Sequence, residues 1–159
     1  MTTQKTDVIT NNIINRFAQT IEMFDLSPLE ARLFAYLFIA DKPTTLDEMA
    51  QAVGKSKTSM STNIRTLLER GLVTQVWRKG ERKDLYQVHT PLFKIFMNAY
   101  MKKCLDTTSH HLLSLEKLKN ERLEESDCSP QIKTEKLNEI IRFHKQLQHM
   151  FKNMDISDN

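Results

Sequence analysis

The side chains of this chain that could do chemistry are basic and hydroxylated, and they crowd into one stretch. From Lys55 to His89 there are eight Lys and Arg against three acids, whereas the 159-residue chain carries a formal charge of only +3. Ser56, Lys57, Thr58, Ser59, Ser61, Thr62 and Arg65 are spaced to share the outer side of a short helix whose inner side is Met60 and Ile64. Short hydroxyls let a backbone approach phosphates and base edges, and an Arg can pair bidentately with guanine. Close behind come Arg78, Lys79, Arg82 and Lys83 around Gly80. Such a turn suits phosphate contact, each phosphate neutralised adding roughly 0.9 to the salt slope of binding. Together these residues point to duplex DNA.

Positioning them requires two helices and a hairpin. Thr44 or Thr45 starts a short helix, with Asp47 or Glu48 three residues on. Leu46, Met49, Ala50 and Val53 form its apolar side, and Gly54 ends it. Ser56 caps a second helix that runs to about Arg70, with Met60, Ile64, Leu67 and Leu68 on one face and Gly71 as its stop. Ala50 is small where the two helices would cross. Helix, tight turn, capped helix is a helix-turn-helix, whose second helix fits a major groove about 12 Å wide. Leu72–Arg78 and Asp84–His89 then read as two strands joined by a polar Gly-containing turn, a small wing.

The flanks are helical. Ile9, Ile13, Ile14, Phe17, Ile21 and Phe24 trace one apolar stripe at the N-terminal end. Ser27-Pro28-Leu29-Glu30 is a helix start with a capping box, and that helix carries Leu33, Phe34, Leu37 and Phe38 to Ala40. Beyond Pro91, Met97, Met101, Cys104, Thr108, His111, Leu115 and Leu118 repeat in steps of three and four. Ser129-Pro130 is expected to open a last helix with a seam of Leu137, Ile140, His144, Leu147, Phe151 and Met154, and residues 155–159 to fray. The expected fold is mainly α: a winged helix-turn-helix with a small β-hairpin wing and terminal dimerisation helices. Its parts are an N-terminal dimerisation helix (1–26), the DNA-binding domain (27–90) and a C-terminal helical dimerisation region (91–159).

Composition agrees. Three Gly and four Pro are too few for an all-β fold, and mean hydropathy of −0.48 is that of a soluble domain. Glu121–Asp127 forms an acidic segment away from the basic one. Cys104 and Cys128 stand in no metal-ligand spacing and read as reduced thiols. The polar N-terminus lacks an apolar leader core, and no apolar run approaches the ~20 residues of a membrane span, so a cytoplasmic protein without membrane partners is expected. No G-x-S-x-G, P-loop, H-E-x-x-H or Gly-rich dinucleotide turn occurs, so neither an enzyme nor a cofactor is expected.

The stretch SPLEARLFAYLFIADKPTTLDEMAQAVGKSKTSMSTNIRTLLERGLVTQVWRKGERKDLY resembles the GbsR family, a branch close to MarR-type winged-helix regulators. The similarity runs over about residues 10 to 100 and weakens beyond. It implies a homodimeric repressor whose terminal helices form the dimer interface. In its best-studied branch it implies control of uptake or synthesis of the osmoprotectant glycine betaine, with choline as the signal. A quaternary ammonium is held by aromatic faces, and Trp77, Tyr86, Phe93, Phe96 and Tyr100 are the candidates, the last three at helical spacing. Core packing would produce the same spacing. Two other readings stay open: a winged-helix adaptor for another protein, and a metal-responsive regulator using His110, His111, His144 and His149, although these form no recognisable ligand pair and no metal is expected.

Overall fold

A computed structural model describes residues 2–88, 91–124 and 132–154. Cys128, the Ser129-Pro130 pair, residues 125–127 of the acidic segment, and residues 155–159 lie outside them. The chain forms two compact units, residues 1–96 and 97–159.

Strong local punctuation shapes the first unit. Helix α1 (Thr2–Ile21) ends in a 3-10 turn (Glu22–Phe24), and Asp25 then turns the chain with φ of 65°. Ser27 opens α2 (Pro28–Ala40) through a complete capping box: its backbone N–H donates to Glu30 Oε2 at 2.9 Å, and Glu30 N–H donates to Ser27 Oγ at 3.2 Å. Thr45 and Glu48 repeat that reciprocal pair at the start of α3 (Leu46–Val53). Gly54, with φ of 70°, gives α3 its left-handed stop, and its N–H donates to the Ala50 carbonyl. Ser56 caps α4 (Lys57–Glu69), and strands β1 (Val73–Val76) and β2 (Leu85–Val88) pair antiparallel with Val73 opposite Val88 and Val76 opposite Leu85.

Thr44 has a role its hydroxyl did not suggest. It does not start α3. It forms a bridge to Tyr86, exchanging both backbone hydrogen bonds at 2.9 Å, and so ties the α2–α3 link to the wing. The residue is fully buried, and its Oγ1–H donates to the Lys42 carbonyl at 2.9 Å, so no polar group is stranded.

The core lies among α2, α3 and α4, with Ala31, Leu33, Phe34, Ala35, Leu37, Met49, Met60 and Leu67 removed from solvent. Phe34 is its hub. Its ring meets Phe17 of α1 edge-on at 6.3 Å and Phe96, in the first turns of α5 (Leu92–Glu124), at 4.8 Å; Phe24 also lies on Phe96. The α1 stripe divides where one continuous row was expected. Ile14, Ala18 and Ile21 are buried, while Val8, Ile9 and Ile13 are exposed, because α2 covers only one side of the helix.

In the second unit, α5 runs antiparallel to α6 (Thr134–Asn153): Gln148 donates to Ser109 at 2.9 Å, and Lys145 meets Glu116 at 3.0 Å. Helix α6 begins at Thr134, and Lys133 precedes it without a side-chain cap; the Ser129-Pro130 start expected for it lies outside the described residues. The seam keeps its expected phase only in part. Thr108 is buried as expected, but Leu112 and Ile141 are buried beside it, whereas the expected His111, Leu118 and Ile140 are exposed. Steps of three and four fit adjacent phases of a helix almost equally, and the phase is set by the facing helix. No helix of the described residues is long and apolar enough to cross a membrane.

Core and cap contribute on different scales. Leu33→Ala, which empties a fully buried site, should lower unfolding free energy by about 2–5 kcal/mol. Ser27→Ala should cost about 1 kcal/mol. Urea titrations followed by circular dichroism check both; equal effects would mean that the hub does not dominate the first unit.

Candidate nucleic-acid interface

Helix α4 is fixed by its inner face. Met60, Ile64 and Leu67 are buried, and the helix packs on α2 and α3. Its C-terminal end is pinned as well: the Arg70 guanidinium donates to the Asp25 carbonyl at 2.7 Å, holding α4 to the turn before α2.

The outward residues fall into two groups. Lys57, Thr58, Thr62 and Arg65 are exposed, while Ser59 and Ser61 are half-buried. Ser56 Oγ accepts the Ser59 N–H at 3.1 Å, so this hydroxyl serves as a helix cap. Thr62 Oγ1–H donates to the Thr58 carbonyl at 3.2 Å, leaving its lone pairs outward. Asn63, which the sequence reading passed over, donates to the Ser59 carbonyl at 2.7 Å.

In the wing, Arg78, Lys79, Arg82 and Lys83 are all exposed. Gly80 takes φ of 86°, and Glu81 organises the turn around it: its N–H donates to the Arg78 carbonyl, and its Oε1 accepts the N–H groups of Arg82 and Lys83 at 3.1 and 3.2 Å. The acid at the wing tip therefore shapes the backbone that displays the cations. At the wing base, Gln75 donates to Asp84 Oδ1 at 2.8 Å.

One carboxylate joins the two groups. Asp47, in the first turn of α3, lies 2.8 Å from Lys83 Nζ and 3.3 Å from Lys57 Nζ. Sequence spacing marked it only as one of two candidate capping acids; its link to residues so distant in the chain has no local signature. The adjoining lysines, Lys83 foremost and then Lys57, hold its carboxyl below the ordinary value of 3.8, and Lys83 is raised in turn by Asp47. Glu48 lies below its ordinary 4.5, chiefly through the Thr45 N–H, with Lys42 at 3.6 Å assisting.

The aromatic candidates have diverse surroundings. Phe96 is 5% exposed and packed on Phe24 and Phe34; Tyr86 is buried in the wing sheet, where burial and the charge of Asp84 push its phenol up. Trp77 and Phe93 are 81% and 71% exposed. Tyr100 is half-buried in the second unit. Among the histidines, His111 and His144 rings stand 6.4 Å apart, and His144 Nδ1–H donates to its own helix at the Ile140 carbonyl. Among the described residues no group of three or more His, Cys, Asp or Glu side chains could hold a metal ion.

A helix-turn-helix with a basic two-stranded wing is matched among known proteins. No family model matches the chain. Three curated relatives from Bacillus subtilis do. The putative HTH-type transcriptional regulator YvaV is 29% identical over 83% of this chain and 75% of its own length. The HTH-type transcriptional repressor OpcR is 27% identical over 88% and 77%, and the HTH-type transcriptional repressor GbsR 24% identical over 86% and 74%. The chain is similar to these GbsR-like winged-helix regulators. A solved transcriptional regulator shares the fold at a TM-score of 0.68 with 17% identity, covering 91% of this chain and 89% of that one. The curated relatives are named as transcriptional regulators and repressors, a non-enzymatic class.

The two depressed carboxyls give the winged domain a defined acid sensitivity. The folded state keeps Asp47 and Glu48 ionised to lower pH than the unfolded chain does. Their contribution is therefore full above the ordinary values of 3.8 and 4.5 and is lost as pH falls below them. The urea midpoint should drop between neutral pH and pH ~3, and less in an Asp47→Asn/Glu48→Gln variant. Equal drops in both proteins would remove these two groups from the acid response.

Proposed function

We propose that this winged-helix regulator acts as a homodimeric repressor that places α4 in the major groove and its wing on phosphates or the neighbouring minor groove. The observation that carries the reading is the two-sidedness of α4. Its apolar face is locked into the core while Lys57, Thr58, Thr62 and Arg65 stay in solvent beside a cationic wing. Ser56, Ser59 and Ser61 complete the contact face, with Ser56 fixing the helix start and its backbone N–H groups toward phosphate. Repression follows the two relatives named as repressors.

Dimerisation is supported by apolar side chains left in solvent: Val8, Ile9 and Ile13 on α1, and Ile140, Phe143 and Met150 on α6. One helix-turn-helix reads few bases, and two on half-sites about one DNA turn apart give useful specificity. The resemblance to the GbsR family supports control of genes for osmoprotectant uptake or synthesis, modulated by choline or a related quaternary ammonium solute. Trp77, Tyr86, Phe93, Phe96 and Tyr100 remain the residues proposed to hold it. Of these, Trp77 and Phe93 have ring faces open to a cation, whereas Phe96 already serves the core.

Binding to a labelled duplex should weaken steeply with salt. Removing Arg78, Lys79 and Arg82 together should reduce the log–log slope by roughly 2 to 3 per subunit, about 0.9 for each phosphate lost. Arg65→Ala on the operator should cost about 1–3 kcal/mol and relax base preference at one position of each half-site. A salt-insensitive interaction would favour a protein-adaptor role and sink the DNA reading.

Sedimentation of the full chain should give a dimer, and Ile13→Asp should shift it toward monomer with loss of operator affinity. Saturating choline should move that affinity; reversing the DNA-competent population from 99:1 to 1:99 takes about 5.5 kcal/mol of differential binding. An unchanged operator affinity would eliminate choline as the effector while leaving the DNA interface standing.

A further inference from the structure

Lys57 opens α4 and Lys83 closes the wing turn, yet both ammonium groups converge on one carboxylate. Asp47 Oδ1 faces Lys57 at 3.3 Å, and its Oδ2 faces Lys83 at 2.8 Å. A carboxylate that offers one oxygen to each ammonium has the single charge and the paired oxygens of a phosphodiester. The three side chains are each about half exposed, so an incoming polyanion can reach them. Arg65, Arg78, Lys79 and Arg82 have no ion pair to a carboxylate among the described residues. Within the DNA-facing set, only Lys57 and Lys83 are held in this way.

We propose that Asp47 stands in for a DNA phosphate in the unbound protein, so that Lys57 and Lys83 form one phosphate site shared by α4 and the wing, and Asp47 restrains affinity by competing for it. This rests on the DNA-facing reading of α4 and the wing. Exposed ion pairs are weak, so a phosphate embedded in the strong field of a duplex displaces the carboxylate readily. The competition is therefore a moderate brake. Until displacement, Asp47 keeps both lysines converged, which lowers the cost of ordering two long side chains on binding. The two lysines count as one phosphate contact, not two.

The test is fluorescence anisotropy of a labelled duplex at one salt concentration, with wild type, Asp47→Asn, Lys57→Ala/Lys83→Ala and the triple variant. All three positions are exposed, and urea midpoints verify that each variant is folded. Asp47→Asn should tighten binding about 3- to 5-fold, the upper end of what an exposed ion pair supplies. The lysine pair variant should bind more weakly than wild type. In its background Asp47→Asn should change affinity by less than about twofold, because the groups it restrains are gone. Unchanged or weaker binding by Asp47→Asn overturns the proposal. So does equal tightening with and without the lysines, which marks a general charge effect. Wild-type affinity in the lysine pair variant overturns it through its premise, since those lysines then do not touch DNA.

Discussion

Burial of Met60, Ile64 and Leu67 on the inner face of α4 is the constraint from which the functional surface follows. Fully burying an aliphatic side chain of this size stabilises by about 1.5–3 kcal/mol, so these three fix the rotation of the helix about its axis. With rotation fixed, Lys57, Thr58, Thr62 and Arg65 can only face water or a ligand. Ser56 sets where the helix begins, and Arg70 ties its far end to the Asp25 carbonyl. A helix free to roll could present the same residues, but not in one register against a regular array of base edges.

The acids of the winged domain are arranged to serve that display. Glu30 and Glu48 accept backbone N–H groups at the starts of α2 and α3, and Glu81 does the same inside the wing turn. In each case a carboxylate fixes backbone, and Glu48 also meets Lys42 at 3.6 Å. Arg65, Arg78, Lys79 and Arg82 are exposed. Asp47 differs, because its oxygens meet side-chain ammonium groups on two other elements.

Local signals were legible in the sequence because their physics is local. Ser27 with Glu30, the Gly54 stop, the Ser56 cap and the Gly80 turn depend on residues within a few positions of one another, and all are present. The phase of the α5–α6 seam was not legible. It depends on which of two nearly equivalent helical rows meets the other helix, and Ile141 lies inside where Ile140 was expected. The Thr44–Tyr86 bridge escaped for a related reason: a threonine before a helix advertises a cap, while its pairing with a strand far along the chain depends on tertiary folding. Phe93 and Phe96 share helical spacing but not environment, since Phe34 and Phe24 claim only the second.

The divided stripe of α1 carries this reasoning one step further. Ile14, Ala18 and Ile21 satisfy the core, so Val8, Ile9 and Ile13 are surplus to it. A helix that served one domain alone would need apolar residues on one side only. Leaving three β-branched side chains in water on the opposite side carries an aggregation risk unless something covers them. The proposed dimer would use them as a second face, with the same helix bracing the Phe34 core and the subunit contact. Any change in subunit geometry would then reach α2 through Phe17, whose ring touches both Phe34 and Phe38. From α2 the path to α4 is direct packing, so the proposed subunit contact and DNA surface would be coupled through contacts the winged domain already needs for its stability.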